Sequence, residues 1–325
     1  MKETFPKTLQ QAIIYFSNPD TALGCMVAIR WPDGITCPRC DSTEHCFVRT
    51  RRMWICKGCK KHFSVKIGTI MEDSPIGLDK WLSAIWLIVN AKNGISSYEI
   101  HRGIGITQKS AWFLLHRIRK AMQTGSFTKL AGHVEIDETY IGGKARNMHR
   151  SVLAKRVEDF ATPLTGRNQN IGKVAVMGLL ERQGEVRTMV IPNTKRESLD
   201  RNIREHVEQG SNVYTDKLRS YKHLNDGDDY IHAVIDHAVK YVDDQVHTNG
   251  IENFWSLLKR TLRGTYVSVE PFHLFRYLDE QAFRFNNRKD NDADRFIRVA
   301  QGVTGKRVTY KQLTGKEPAR DETSH

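Results

Sequence analysis

Two cysteine pairs, CPRC at 37–40 and CKGC at 56–59, constrain this chain more than any other feature; the 15 residues 41–55 lie between them. A segment this short buries too little apolar surface to fold on burial alone. The spacing suits two knuckles that each present two thiolates to one tetrahedral Zn2+, so that metal binding supplies the missing folding free energy. A redox dithiol or an accidental pair of motifs is the alternative. If Cys37, Cys40, Cys56 and Cys59 all bind, zinc keeps no open position, and the expected site is structural. Cys25 and Cys46 stand outside the pairs and read as small buried hydrophobes. Arg39, Arg49, Arg51, Arg52, Lys57, Lys60 and Lys61 suit phosphate contact, or simply a solvated surface.

Charge points the same way. Fifty Lys and Arg against 37 Asp and Glu leave a formal net charge of +13, which favours a polyanionic partner without choosing DNA or RNA. No apolar run approaches the roughly 18 residues of a membrane span. The N-terminal residues lack a secretory pattern, so a cytoplasmic location with reduced thiols is expected, and no membrane partner.

Periodicity divides the chain into an N-terminal helical segment (1–30), a turn-rich ribbon (31–70), a helical region (75–127), an α/β region (130–305) and a flexible tail (306–325). Between Leu78 and Met122, apolar residues at helical spacing break at AKNGISS and RGIGITQ, which predicts three helices. The last two read as a helix-turn-helix, or as three-helix packing with no DNA role. The final helix, capped by Thr107, buries Ala111, Leu114, Leu115 and Ile118; Gln108, Lys109, Trp112, His116, Arg117 and Lys120 are expected on its exposed, groove-reading face. From His133, three strands, a helix and a fourth strand, SNVYTD, follow. The polar stretch 144–170 reads as a loop.

Three carboxylates stand out in the α/β region. Asp137 interrupts the apolar run VEIDETYI, where a lone charge is costly unless paired or metal-bound. Asp216 ends a strand, and Glu252 opens the helical run IENFWSLLKRTLRG. Acids from a central strand, a neighbouring strand end and a later helix can hold two divalent ions. On that helix Ile251, Phe254, Trp255, Leu258 and Leu262 form a core face, with Glu252, Ser256, Lys259 and Arg263 as a polar stripe along its border. Lys259 is placed to grip a phosphate. His237 and His247 could contact DNA or be structural, Glu280 is a rival third acid, and Phe275, Leu278, Ala282 and Phe285 read as core.

DETYIGGK, VYTDKLRSY and HTNGIENFWSLLKRTLRGTY, together with the cysteine knuckles, resemble bacterial insertion-sequence transposases of the IS-fifteen-ninety-five type over nearly the whole chain. The resemblance implies an α/β, ribonuclease-H-like DDE core preceded by a zinc ribbon and a helix-turn-helix. It implies Asp137, Asp216 and Glu252 as ligands of Mg2+ or Mn2+, followed by Lys259. Relatives use Asn in place of the third acid, and Asn249 lies one turn before Glu252, so both are candidates; the carboxylate is preferred as the better Mg2+ ligand. The implied partner is double-stranded DNA, both element ends and target, with Lys109, Arg117 and Arg263 as contacts and at least a homodimer to join two ends. A nuclease without strand transfer and a catalytically silent DNA-binding regulator are the rival readings.

Overall fold

Capping signals start the first helices. Helix α1 (Leu9–Ser17) opens on a capping box between Thr8 and Gln11; α2 (Pro19–Arg30) opens with Asn18 accepting from the amides of Asp20 and Thr21 and with proline at its first position. The computed structural model describes residues 5–123, 128–143, 145–159, 172–225, 229–235 and 247–315. It divides into two units, residues 1–123 with 289–325, and residues 124–288.

In the first unit, α2 leads into a three-stranded antiparallel sheet, β1 (His45–Val48), β2 (Met53–Cys56) and β3 (His62–Phe63), where Trp54 stacks on Phe63 at 5.7 Å. Helices α3 (Leu78–Asn90), α4 (Ser97–Ile104) and α5 (Gln108–Met122) follow, as the apolar spacing predicts. Ser96 and Glu99 form a capping box on α4, Gly105 ends it in the left-handed conformation (φ 63°), and Thr107 caps α5.

The second unit runs β4 (His133–Ile141), α6 (Arg150–Asp159), β5 (Val174–Glu181), β6 (Val186–Ile191), α7 (Arg196–His206), β7 (Asn212–Asp216), β8 (Ile231–Ile235), α8 (Asn249–Thr261) and α9 (Leu274–Asn286). Its sheet has the order β6-β5-β4-β7-β8: β4, β5 and β6 form an antiparallel meander, and β7 and β8 run parallel to β4. Alternation along the strands sorts side chains between two cores. Val134, Ile136, Met177 and Leu179 cluster with Leu199 and Ile203 of α7, whereas Val174, Val176 and Leu180 cluster with Ile251, Phe254 and Leu258 of α8 and Leu278 of α9. Helices thus cover both faces of a mixed sheet. The opposite phase of β4 carries Glu135, Asp137 and Thr139.

The chain then returns to the first unit with α10 (Asp292–Gln301) and α11 (Tyr310–Leu313). Phe296 of α10 is fully buried, stacked on Phe16 at 5.2 Å and lying 5.6 Å from Trp86. Residues 289–305, expected to close the α/β region, therefore complete the core of the helical unit; the partners of Phe296, Phe16 and Trp86, lie 280 and 210 residues upstream, beyond the reach of local periodicity. Other expectations also change. Helix α6 occupies part of the stretch 144–170, and its mostly polar sequence explains why apolar spacing gave no signal there. The expected tail holds α11, with a Thr309–Gln312 capping box and a buried Leu313; residues 316–325 lie outside the described part. Phe275 is exposed, and Leu274 and Tyr277 take its place in the core. No single helix among the described residues is long and apolar enough to cross a membrane.

Removing the Phe296 ring should leave a cavity that rigid neighbours cannot fill. Phe296→Ala is expected to destabilise the first unit by about 3–5 kcal/mol. Chemical denaturation followed by far-ultraviolet circular dichroism and tryptophan fluorescence measures this, and a loss under about 1 kcal/mol would show that the ring does not anchor α10.

Candidate active site and metal centre

The four paired cysteines converge. Their sulfurs all lie within 4.8 Å of one another, with Cys37 and Cys59 3.8 Å apart and Cys40 and Cys56 3.5 Å apart. A tetrahedral zinc with Zn–S bonds of about 2.3 Å requires sulfurs about 3.8 Å apart, so the donor set fits that ion. The backbone amide of Cys59 donates to Cys56 Sγ at 3.4 Å and is the leading cause that lowers this thiol, while Cys40, against a lowering backbone bond from Ser42, is raised by hydrogen bonding to Cys56, so the two sulfurs share a proton that a metal would displace. Cys25 is buried as expected. Cys46 is exposed, contrary to expectation: on the edge strand β1 both it and its neighbour Phe47 stand in solvent.

In the second unit an open cavity of about 530 Å3 has acids on its strand wall and, on its helical wall, the bases together with Glu252. Asp137, Glu138 and Thr139 of β4 face Glu252, Ser256, Lys259 and Arg260 of α8, with Arg263 just beyond the helix. The stripe read from the sequence is therefore the helical wall of this cavity. Trp255, from the neighbouring core face, donates its indole N–H to Asp137 Oδ2 at 3.0 Å. Burial, and next the negative charge of Asp216, push Asp137 up to about 6; the Glu138 backbone bond and then the Trp255 bond oppose this, and Glu252 adds a smaller push.

Asp216 ends β7, one strand over, and accepts from the amide of Leu218 at 3.1 Å. It does not line the cavity, but its field reaches Asp137. Glu252 accepts from the Thr248 hydroxyl at 3.2 Å. Asn249 is exposed at the start of α8 and is not among the cavity-lining residues. Among the described residues the cysteines alone form a group of three or more potential ligands within 4.8 Å, so the carboxylates do not close on a single ion by themselves. An all-carboxylate set left open in this way fits Mg2+ or Mn2+, which take oxygen ligands and retain positions for water and substrate phosphate.

The strand also supplies an acid that the sequence reading passed over. Glu138 Oε1 is buried with no hydrogen-bond partner among the described residues. Burial first, then the charges of Asp137 and Asp216, push this carboxyl up to about 9. Glu280, the rival third acid, is 1 % exposed and bonded to Tyr266 (2.5 Å) and Arg284, a structural network away from the cavity. His247 packs beside Glu135, and His237 lies outside the described residues.

The expected DNA contacts separate. Lys109 is exposed on α5 and Arg263 lines the cavity. Arg117 is 3 % exposed: it donates to the Glu72 carbonyl at 2.5 Å and lies over Phe113 and Trp81 at 5.1 and 5.5 Å. It is a core residue, not a groove contact. His116 and Lys120 are buried too, because the second half of α5 is enclosed on all sides rather than along one stripe.

Residues 129–286, which contain the acids and the cavity, match the ISXO2-like transposase domain, and residues 17–62, which contain the four cysteines, match the transposase zinc-ribbon domain. The chain belongs to this transposase family. A protein of the transposable element ISH50 from Halobacterium salinarum is 27 % identical over 252 residues, 76 % of this chain and 84 % of its own length. A transposase-like protein from Haemophilus influenzae is 39 % identical over 103 residues, 32 % of this chain and 82 % of its own. The transposase thus pairs its family's zinc ribbon with a cavity in which carboxylates face Lys and Arg.

Two outcomes follow. Elemental analysis should find one Zn2+ per chain, lost in Cys40→Ser; a variant that retained full zinc would exclude the four-thiolate site. In metal-free protein, Glu138→Gln should raise the melting temperature. A carboxyl whose folded value lies near 9 against an ordinary 4.5 binds protons more readily when folded, so it costs stability as pH rises through that window. The gain should be negligible at pH 4 and grow toward pH 9; a gain independent of pH would contradict it.

Proposed function

We propose that the chain is a DDE-type transposase that binds the terminal inverted repeats of an insertion sequence, cleaves them and joins them to target DNA. The observation that carries this is the cavity in which Asp137 on the strand faces Glu252, Lys259 and Arg263 on the helical side, with the charge of Asp216 acting on Asp137 from the next strand. An antiparallel meander extended by parallel strands, with helices on both faces, supports a ribonuclease-H-like core. The zinc ribbon and the α4–α5 turn, with Lys109 exposed, are suited to hold the DNA ends. Joining two ends in concert calls for at least a dimer.

In this reading Asp137, Asp216 and Glu252 hold divalent ions. Those ions supply a more acidic bound water and Lewis acidity at phosphorus. The chain itself does the positioning. Lys259 and Arg263 bind phosphate oxygens on the basic wall, bringing the scissile phosphodiester toward the acids. The Trp255 N–H fixes the orientation of Asp137. Water then displaces the 3′ oxygen at the element end, and the freed 3′-OH displaces an oxygen at the target phosphate, with no covalent enzyme intermediate.

Purified protein, labelled element ends and Mg2+ provide the test. Asp137→Ala, Asp216→Ala and Glu252→Ala should each abolish cleavage and joining while end binding persists, because different elements hold metal and DNA ends. Lys259→Ala should weaken joining without abolishing cleavage. If Asn249→Ala is inactive while Glu252→Ala still cuts, the third ligand is Asn249. Cleavage without any joined product would identify a nuclease instead.

A further inference from the structure

We propose that Glu135 is a positioning residue that sets the place of α8, and with it Asn249 and Glu252, relative to Asp137. The inference rests on the reading that α8 supplies the third metal-binding group. Helix α8 begins without a cap of its own: Thr248 makes no side-chain bond to a helix amide, and its hydroxyl goes to Glu252. The first amides of a helix have no intrahelical acceptor and must find one elsewhere. Glu135, 1 % exposed, provides it from the sheet, its Oε2 accepting from the Ile251 amide at 3.0 Å. A carboxylate at this end also suits the helix dipole.

The spacing makes this a matched pair of clamps. Glu135 and Asp137 lie two residues apart on β4, about 6.7 Å along a strand. Their partners on α8, the Ile251 amide and the Trp255 indole, lie four residues apart, about 6 Å along a helix. Strand and helix are therefore pinned side by side at two rungs. Asp137 is needed for chemistry; Glu135 keeps the alignment without entering it.

The buried charge of Glu135 is balanced locally. Arg182 Nε donates to Oε1 at 2.9 Å, and the same guanidinium donates to the His247 carbonyl at 2.6 Å, holding the chain just before α8. His247 Nδ1 lies 3.2 Å from the same carboxylate oxygen. Gly250 completes the fit, since a side chain there would begin 2.8 Å from Glu135 Oε2 and 2.6 Å from Leu180.

Glu135→Gln and Glu135→Ala in the full-length protein test the assignment by two readouts. Amide hydrogen exchange, followed without divalent metal, should accelerate about tenfold or more in the first turn of α8 while β5 amides keep their protection, as expected for loss of one charge-assisted bond. The Mg2+ concentration for half-maximal end cleavage should rise by about the same factor, with the saturating rate partly restored. A folded Glu135→Gln with wild-type exchange in α8 and wild-type Mg2+ dependence would overturn the proposal. So would exchange that rises equally throughout the second unit with unchanged Mg2+ dependence, which marks a purely structural role. If the Ala variant does not fold, the Gln variant decides. If Asp137→Ala still cuts DNA, the assignment of the acids fails instead, and exchange in α8 still reports whether Glu135 anchors the helix.

Discussion

Helix α8 lies close against the sheet because two positions have no side chain. Gly178 of β5 is the register partner of Asp137, and a Cβ there would come within 2.6 Å of the Trp255 ring and 2.8 Å of Ile251. Gly250 plays the same part at the start of the helix. A methyl group at either position forces the helix outward or twists the indole from its rotamer. Since the Trp255 N–H reaches Asp137 only from this distance, the basic wall of the cavity and the alignment of the acids both depend on that close approach.

Such packing allows one strand, β4, to carry three buried or half-buried carboxylates with different fates. Glu135 is neutralised by Arg182 and spent on a helix start. Asp137 accepts from the Trp255 indole and the Glu138 backbone and keeps an elevated proton affinity. Glu138 has an oxygen with no partner among the described residues. Burying carboxyl groups without partners opposes folding, and a chain that keeps Asp137 and Glu138 beside this cavity has a place where a cation can offset that cost by favouring their charged forms.

Much of this was legible in the sequence. The cysteine spacing, three helices between Leu78 and Met122, the meander, and both faces of α8 follow from periodicity and capping, because each depends on neighbours within a few residues. Long-range features were not legible. The burial of Arg117 depends on what encloses α5, which its own stripe does not encode. Glu135 shares strand phase with Asp137, a signal present in VEIDE, but its partners Arg182 and Ile251 come from distant segments. Strand β8 and the return of α10 likewise become visible only when the chain is folded.

That return has a consequence for biosynthesis. During translation the aromatic surface formed by Phe16 and Trp86 emerges early, yet the ring that covers it, Phe296, is made after the whole of the second unit. The order in which the units mature is therefore the reverse of the order in which they begin. The inserted α/β unit can complete its core on the ribosome while the helical unit waits, its apolar face open to chaperones, for the final helices.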